Sequence, residues 1–269
     1  MKKYIKKIVL IFLIIICYMG GLYLFQNNLL FYPDWKYRSP EASNSHFQEI
    51  RLTAKDGNLI RLWYASGDKT KPAILFLHGN SGQISKFADK LNVLIEAGYG
   101  VLAMEYRSFA EVPGTIRQDV IFSDAAQSFD FLHQQGYKNI VVYGYSFGAA
   151  MAAGLSSLRE IDGLILTAPF YSLVREVSDQ PVPFAKYVLR DEYPSYKYVG
   201  EFKKPLLIIT GKNDHLISWK HAKDLFDLSP AKQKEIYIVD GQTHHGIYFD
   251  GANLPHILKF LKDFKTRNK

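Results

Sequence analysis

The chain has 269 residues, of which 48% are hydrophobic, 14% aromatic and 22% charged. This composition is that of a packed globular protein, and it excludes disordered and fibrous classes. The formal net charge is +7, but it comes from four lysines before residue 8 and a basic segment after residue 258, and the chain between them is nearly neutral. A nearly neutral body lacks the basic face that phosphate binding needs, so we expect no nucleic acid partner.

The first element is an apolar run at residues 8–25 that contains no charged residue. At about 1.5 Å per residue, a helix of this length nearly crosses a hydrocarbon core of about 30 Å. A cleavable signal peptide, which would give a secreted protein, is the competing interpretation. No small-residue cleavage pattern follows the run, so we expect an uncleaved transmembrane anchor at residues 1–25. The preceding lysines predict a cytoplasmic N-terminus and an extracytoplasmic location for the domain that follows the anchor.

The sequence predicts one domain after the anchor. Residues 26–45 are rich in Asn, Pro and Ser and predict a linker, so the domain is expected at residues 46–269. Residues 47–53 and 59–65 flank a Gly-containing turn and predict a β-hairpin. Short apolar runs then alternate with segments of helical period, at residues 74–79, 101–106, 140–146, 163–169, 205–211 and 235–241. This alternation predicts an α/β fold with a mostly parallel central sheet and helices on both faces.

The carboxyl ends of parallel strands are where such folds place their chemistry. The run at residues 140–146 leads into Gly144-Tyr145-Ser146-Phe147-Gly148, a G-x-S-x-G sequence followed by alanines. A serine on a tight strand-to-helix turn has a strained backbone, and the flanking glycines avoid collisions with the neighbouring strand and helix. Ser146 is therefore the predicted nucleophile, with an ordinary surface serine as the alternative.

An acyl substrate attacked by Ser146 develops negative charge on its carbonyl oxygen, which two backbone N–H groups can stabilise. We predict the N–H of Phe147, at the start of the new helix, as one donor. The HGNSG loop (residues 78–82) supplies the second, which we assign to Asn80. His78 in this loop competes as a base, but its place between an apolar strand and a glycine turn favours a packing role.

A nucleophilic serine also needs a base and a carboxylate that orients the base, in the chain order serine, acid, histidine. Asp214 follows the run at residues 205–211 by three residues and is the predicted acid, with a helix-cap or turn role as the alternative. The base should follow the last strand, where His244 and His245 stand side by side. Adjacent histidines in an extended loop cannot both face one site.

Metal chemistry is not expected. The single cysteine, Cys17, lies in the apolar run, which excludes an intrachain disulfide and a cysteine-based zinc site. The histidines show neither HxH nor HxxxH spacing.

These motifs together resemble the α/β-hydrolase superfamily, and within it the membrane-anchored α/β-hydrolase-domain proteins related to serine-aminopeptidase-like hydrolases and depalmitoylases. The matching segments are the anchor followed by LLFYP (29–33), DGN (56–58), HGNSG (78–82), GYSFG (144–148), APFYSL (168–173), PLLIITGKND (205–214) and GQTHH (241–245). The resemblance implies hydrolysis of an ester, thioester or amide without a cofactor. Its usual spacing, with the histidine three residues after the strand-end glycine, favours His244 over His245 as the base.

One segment departs from the family pattern. Related proteins often carry Asp-Tyr-Arg-Gly-Tyr/Phe-Gly after the second parallel strand, whereas this chain has Glu105-Tyr106-Arg107-Ser108-Phe109-Ala110. We expect the loss of both glycines to alter the loop beside the site and the shape of the acyl pocket.

A cap is expected at about residues 170–204, a stretch rich in aromatic residues (Phe170, Tyr171, Phe184, Tyr187, Tyr193, Tyr196 and Tyr198). These residues either favour acyl chains or pack a cap helix onto the core. We therefore expect a serine carboxylester or thioester hydrolase that acts through an acyl-enzyme on small-molecule or lipid-like acyl substrates near a membrane. One alternative is an aminopeptidase-like amide hydrolase, which needs a cap carboxylate for the substrate amine (Glu176, Asp179, Asp191 or Glu192). Another is a catalytically silent membrane-anchored binding module.

Overall fold

The computed structural model describes residues 1–43 and 45–264, so the last five residues of the predicted domain lie outside the described part of the chain. A long N-terminal helix precedes a body organised around a sheet. The strands are β1 (Tyr32–Pro33), β2 (Gln48–Thr53), β3 (Leu59–Ala65), β4 (Ala73–Leu77), β5 (Ser81–Gly82), β6 (Val101–Met104), β7 (Ile140–Tyr145), β8 (Gly163–Thr167), β9 (Leu206–Gly211) and β10 (Lys234–Val239).

Within the described residues, eight strands form the central sheet in the order β10-β9-β8-β7-β4-β6-β3-β2. β2 and β3 form the expected antiparallel hairpin, and β3 also pairs antiparallel with β6, while all other neighbours in this sheet are parallel. Every residue of β4, β6, β7, β8 and β9 is buried, as expected for parallel strands covered on both faces. The predicted α/β fold is confirmed.

Helices cover both faces of this sheet. The α-helices of the described residues are α1 (Lys2–Leu30), α2 (Ala88–Glu96), α3 (Gln118–Gln134), α4 (Phe147–Leu155), α5 (Leu173–Asp179), α6 (Ser195–Glu201), α7 (Trp219–Leu228), α8 (Gly246–Phe249) and α9 (Leu254–Phe264). One apolar cluster packs α3, α4, α6 and α7 against one face. A second packs α2, α8 and α9 against the other. The buried strands therefore hold their carboxyl ends in a fixed arrangement.

The N-terminal helix α1 is long and apolar enough to cross a membrane. Its most apolar 18-residue window has a mean hydropathy of 2.7, and none of that window is buried. An apolar helix at this position is compatible with a signal anchor or a signal peptide. The helix ends at Leu30, five residues beyond the predicted end of the anchor, so the predicted linker at residues 26–45 begins inside α1. The polar residues that suggested a linker, Gln26 and Asn27, are instead hydrogen-bonded to the body.

The cap aromatics mostly pack the cap onto the body. Tyr171 and Tyr196 stack with ring centroids 4.9 Å apart, and the buried Tyr193 meets Phe147 edge-on at 4.9 Å. Phe184 and Tyr187 are exposed, and Phe170 is the cap aromatic that lines the cavity beside Ser146. Packing therefore accounts for most of this aromatic stretch.

The segment that lacks the family's two glycines keeps a glycine-like backbone. Ser108 has φ 66° and Ala110 has φ 46°, both in the left-handed region that side chains other than glycine rarely adopt. The chain accommodates the two replacements through backbone strain at these positions.

Candidate active site

Ser146 lies on the turn between β7 and α4, with φ 54° and ψ −117°. The turn is tight enough to require both flanking glycines. A Cβ on Gly144 would lie 2.2 Å from the carbonyl oxygen of Gly148, and a Cβ on Gly148 would lie 1.9 Å from the carbonyl oxygen of Leu77. The backbone N–H of Ser146 donates to the carbonyl of Thr167 at 2.8 Å, which holds the strained residue against β8. The Ser146 side chain consequently projects at the carboxyl edge of the sheet.

The structure brings Ser146, His244 and Asp214 together. Oγ of Ser146 lies 3.0 Å from Nε2 of His244, and Nδ1 of His244 lies 2.7 Å from Oδ2 of Asp214. All three residues are buried, each with 6% exposure. A base that contacts both the hydroxyl and an orienting carboxylate is the arrangement that nucleophilic serine catalysis requires.

The carboxylate of Asp214 is fixed by the backbone that follows it. Its Oδ1 accepts hydrogen bonds from the N–H groups of Leu216 at 2.9 Å and Ile217 at 2.8 Å. Oδ2 therefore remains to accept the Nδ1–H of His244, which leaves Nε2 as the proton acceptor that faces the hydroxyl.

The neighbouring histidine occupies a different environment. His245 is exposed at the surface, and its Nδ1 lies 3.4 Å from the hydroxyl of Tyr145. Partial burial, together with the proximity of His244, lowers the pKa of His245. The same Tyr145 hydroxyl donates to the carbonyl of His244 at 3.1 Å, so this tyrosine fixes the histidine loop. That contact could not be predicted from the sequence.

Both predicted oxyanion donors belong to residues that line the larger cavity beside Ser146. Phe147 is the first residue of α4, where backbone N–H groups have no partner within the helix. Asn80 lines the two cavities beside Ser146 together with Ser81. The placement of these two residues is consistent with the predicted roles.

His78 is fully buried within the loop that carries Asn80. Its Nε2 lies 2.8 Å from Oε1 of Glu105, and its Nδ1 lies 2.8 Å from the carbonyl of Gly79. Glu105 also accepts the N–H of Ile84 at 2.9 Å. His78 and Glu105 thus shape the HGNSG loop.

Two cavities adjoin Ser146. The larger has a volume of about 400 Å³, and the smaller has a volume of about 240 Å³ and lies between the HGNSG loop and His245. Apolar side chains from three parts of the chain line the larger cavity: Leu29, Leu30 and Phe31 at the end of α1, Phe170, Leu173 and Val177 from the cap, and Leu216 and Ile217 after β9. Sequence reasoning missed the contribution of α1, although the LLFYP segment marked its position.

One carboxylate enters the larger cavity from the cap. Glu176 lies on α5, and its Oε1 accepts a hydrogen bond from Gln180 at 2.9 Å. Its Oε2 is buried and has no hydrogen-bond partner among the described residues, and the nearest cation-forming group is Nε2 of His221 at 3.9 Å. Burial is the main reason that the pKa of Glu176 rises to about 7. The cavity is therefore apolar with one titratable carboxyl.

Comparison with known sequences identifies similar proteins. A family model described as "Serine aminopeptidase, S33" matches residues 68–198. The protein YfhR of Escherichia coli strain K12 is 28% identical over 227 residues, which cover 80% of this chain and 79% of YfhR. The alpha/beta hydrolase domain-containing protein WAV2 of Arabidopsis thaliana is 24% identical over 225 residues, which cover 75% of this chain and 73% of WAV2.

Comparison with solved structures shows the same fold in the Pyrococcus furiosus esterase Pf2001. That structure matches with a TM-score of 0.70 and 21% identity, over 88% of this chain and 98% of the esterase chain. At this level of identity the likeness extends to the arrangement of strands and helices.

Proposed function

Because this chain belongs to the α/β-hydrolase superfamily, we propose that it is a serine hydrolase that cleaves carboxylic ester or thioester bonds of apolar acyl substrates. The observation that carries the proposal is the continuous hydrogen-bonded series from Asp214 through His244 to Ser146. The esterase Pf2001 among the structural neighbours supports the choice of ester over amide.

The proposed reaction proceeds through an acyl-enzyme. His244 Nε2 takes the proton of Ser146 as Oγ attacks the acyl carbon, and Asp214 stabilises the imidazolium that forms. The N–H groups of Phe147 and Asn80 stabilise the oxyanion. His244 then protonates the departing alcohol or thiol. In the second half, His244 takes a proton from water, the hydroxide attacks the acyl-enzyme, and Ser146 is released with its proton restored.

The two cavities beside Ser146 suit the two halves of such a substrate. The larger cavity offers an apolar lining for the acyl chain. The smaller one, bordered by Lys86 and His245 as well as Phe87 and Phe249, provides a mixed environment for the leaving group. We propose that α1 remains as an anchor with its N-terminus in the cytoplasm, so that the pocket lies beside the outer surface of the bilayer.

An amide-cleaving aminopeptidase is the second candidate, and Glu176 is the observation that favours it. Glu176 lines the cavity next to the proposed triad, and its Oε2 has no hydrogen-bond partner among the described residues, so the carboxylate could bind a substrate ammonium group. The match to the serine aminopeptidase family model points the same way.

A substrate panel separates the two candidates. We would compare kcat/KM of the full-length protein for p-nitrophenyl acyl esters and for aminoacyl p-nitroanilides, with Ser146→Ala as the background control. The ester proposal expects esters to be preferred by a wide margin. A preference for anilides that is lost in Glu176→Gln would establish the aminopeptidase instead. If the correctly folded wild type hydrolysed none of these substrates, the result would favour a catalytically silent binding module.

A further inference from the structure

The last part of α1 is built into the body. We call residues 26–32 the α1 end. The side chain of Gln26, which is 6% exposed, donates to the carbonyl of Val188 at 3.2 Å and accepts from the N–H of Arg190 at 2.9 Å. Asn27 donates to the carbonyl of Ile116 at 3.2 Å. The α1 end is thereby fixed to the cap and to the segment that precedes α3.

The α1 end is also fixed to the loop that carries the proposed oxyanion donor. The side-chain amide of Asn80 donates to the carbonyl of Leu30 at 2.7 Å, and the N–H of Tyr32 donates to the carbonyl of Asn80 at 2.9 Å. β1 continues this contact by pairing parallel with β5. These bonds leave the α1 end little freedom to move away from Ser146.

The apolar side chains of the α1 end line the proposed acyl cavity. Phe31 is buried and meets Phe147 edge-on, with ring centroids 4.8 Å apart. Leu29 and Leu30 line the same cavity as Ser146, and Leu29 remains 53% exposed. Leu29 therefore connects the outer surface of α1 with the cavity through an apolar side chain.

The cap beside the α1 end has the composition of a membrane interface. Phe184 and Tyr187 are exposed aromatic residues, and Lys186 is exposed between them. The guanidinium of Arg190 lies over the ring of Tyr23, a residue of α1, at 5.5 Å. Aromatic and basic side chains are enriched where a protein meets lipid headgroups. This part of the cap therefore has the composition of a surface that contacts lipid headgroups.

We propose that the α1 end is the wall of the acyl pocket, and that Leu29, Leu30 and Phe31 make the enzyme selective for long-chain acyl esters. The inference rests on the proposed function, because it assigns the substrate class of the same site. A long chain that leaves the cavity continues along the apolar face of α1, whereas a short chain ends before reaching it. Chain-length selectivity is therefore the property that the wall controls.

The kinetic test introduces a bulky side chain at Leu29, an exposed position of the proposed wall. Leu29→Trp fills the edge of the cavity. The matched control is Leu24→Trp, because Leu24 lies on α1, is 70% exposed and does not line the cavity. We expect the ratio of kcat/KM for p-nitrophenyl dodecanoate to that for p-nitrophenyl butyrate to fall about tenfold in Leu29→Trp, since loss of contact for about two methylenes corresponds to that factor. The control should keep the wild-type ratio. An unchanged ratio in Leu29→Trp would overturn the proposal.

A binding test decides the same question without turnover. In a Cys17→Ser background, which removes the only native cysteine, Leu29→Cys and Leu24→Cys are each labelled with an environment-sensitive dye in full-length protein. Decanoate should produce a saturable emission change at position 29 and none at position 24. Equal emission changes at the two positions, or no change at position 29, would refute the proposal that the α1 end is the wall of the acyl pocket. If the wild type hydrolyses neither ester, the proposed function fails, and the dye measurement still decides whether the α1 end binds acyl chains.

Discussion

The side-chain amide of Asn80 donates a hydrogen bond to the carbonyl of Leu30 at 2.7 Å, which joins the proposed oxyanion loop to the last residue of α1. Preorganised N–H donors are effective because they need no rearrangement during the reaction. A contact that holds the Asn80 backbone in place is therefore expected to affect the chemical step more than substrate binding.

Asn80→Ala removes this contact while keeping the backbone N–H. We expect kcat to fall about tenfold with little change in KM, because the donor is displaced in the transition state. Asn28→Ala, at an exposed position on α1, is the control and should behave as the wild type. Steady-state kinetics with a p-nitrophenyl ester measure both parameters. A rise in KM alone would show that Asn80 acts on ground-state binding.

Gly148→Ala tests the tight turn at Ser146. The added Cβ would lie 1.9 Å from the backbone oxygen of Leu77, which cannot move without disturbing β4. We expect the free energy of unfolding to fall by about 3 kcal/mol, with loss of activity. Gly200→Ala is the control, since its nearest contact is 3.5 Å away and it lies in α6, where alanine is favoured. Denaturant unfolding that finds the two variants equally stable would contradict the strained turn.

Glu176 should make binding of the acid product depend on pH. Burial raises the pKa of this carboxyl to about 7, so it is neutral below that pH and negative above it. A fatty-acid product carries its negative charge over this range, so inhibition by decanoate should weaken as pH rises through about 7 and stay constant in Glu176→Gln. Inhibition constants for decanoate and for uncharged decanamide, measured from about pH 6 to 8, provide the comparison. An equal pH dependence in the variant would assign the effect to another group.

Glycine should relieve backbone strain at the left-handed positions after β6. Ser108 (φ 66°) and Glu111 (φ 62°) each adopt a conformation that costs roughly 1–2 kcal/mol for a residue with a Cβ, against roughly 0.5–1 kcal/mol for the added flexibility of glycine. Glu111→Gly should therefore raise the free energy of unfolding by about 0.5–1 kcal/mol. Ser108→Gly should raise it less, because it also removes the hydrogen bond that the Ser108 hydroxyl donates to the carbonyl of Gly114 at 2.6 Å. Ala97→Gly, at φ −72°, should lower it. Destabilisation by all three variants would rule out strain in this loop.

The sequence was sufficient to locate the fold and the three predicted triad residues, because each of these residues follows an apolar strand whose end must lie at one sheet edge. The choice of His244 over His245 needed the family spacing, and the structure places His244 against Ser146. The α1 end could not be predicted in this way. Gln26 and Asn27 have the composition of a linker, and their partners, Ile116, Val188 and Arg190, are far away in the sequence.

The orientation of the cap carboxylates could not be predicted from the sequence either. The sequence does not distinguish the four acidic residues of the cap. Short helices and turns have no clear hydrophobic period, so the direction in which each side chain points cannot be inferred. The structure directs Glu176 into the cavity, whereas Asp179 contacts His221 and Asp191 contacts Arg117. Tertiary contacts of this kind determine which cap carboxylate lines the cavity.

Covalent labelling with a fluorophosphonate probe tests the central claim most directly, because the probe reacts with a serine that an adjacent base activates. The full-length wild type should be labelled, Ser146→Ala should not, and His244→Ala should be labelled far more slowly than His245→Ala. Undiminished labelling of Ser146→Ala, or an unlabelled wild type that is correctly folded, would contradict the assignment of Ser146 as the nucleophile.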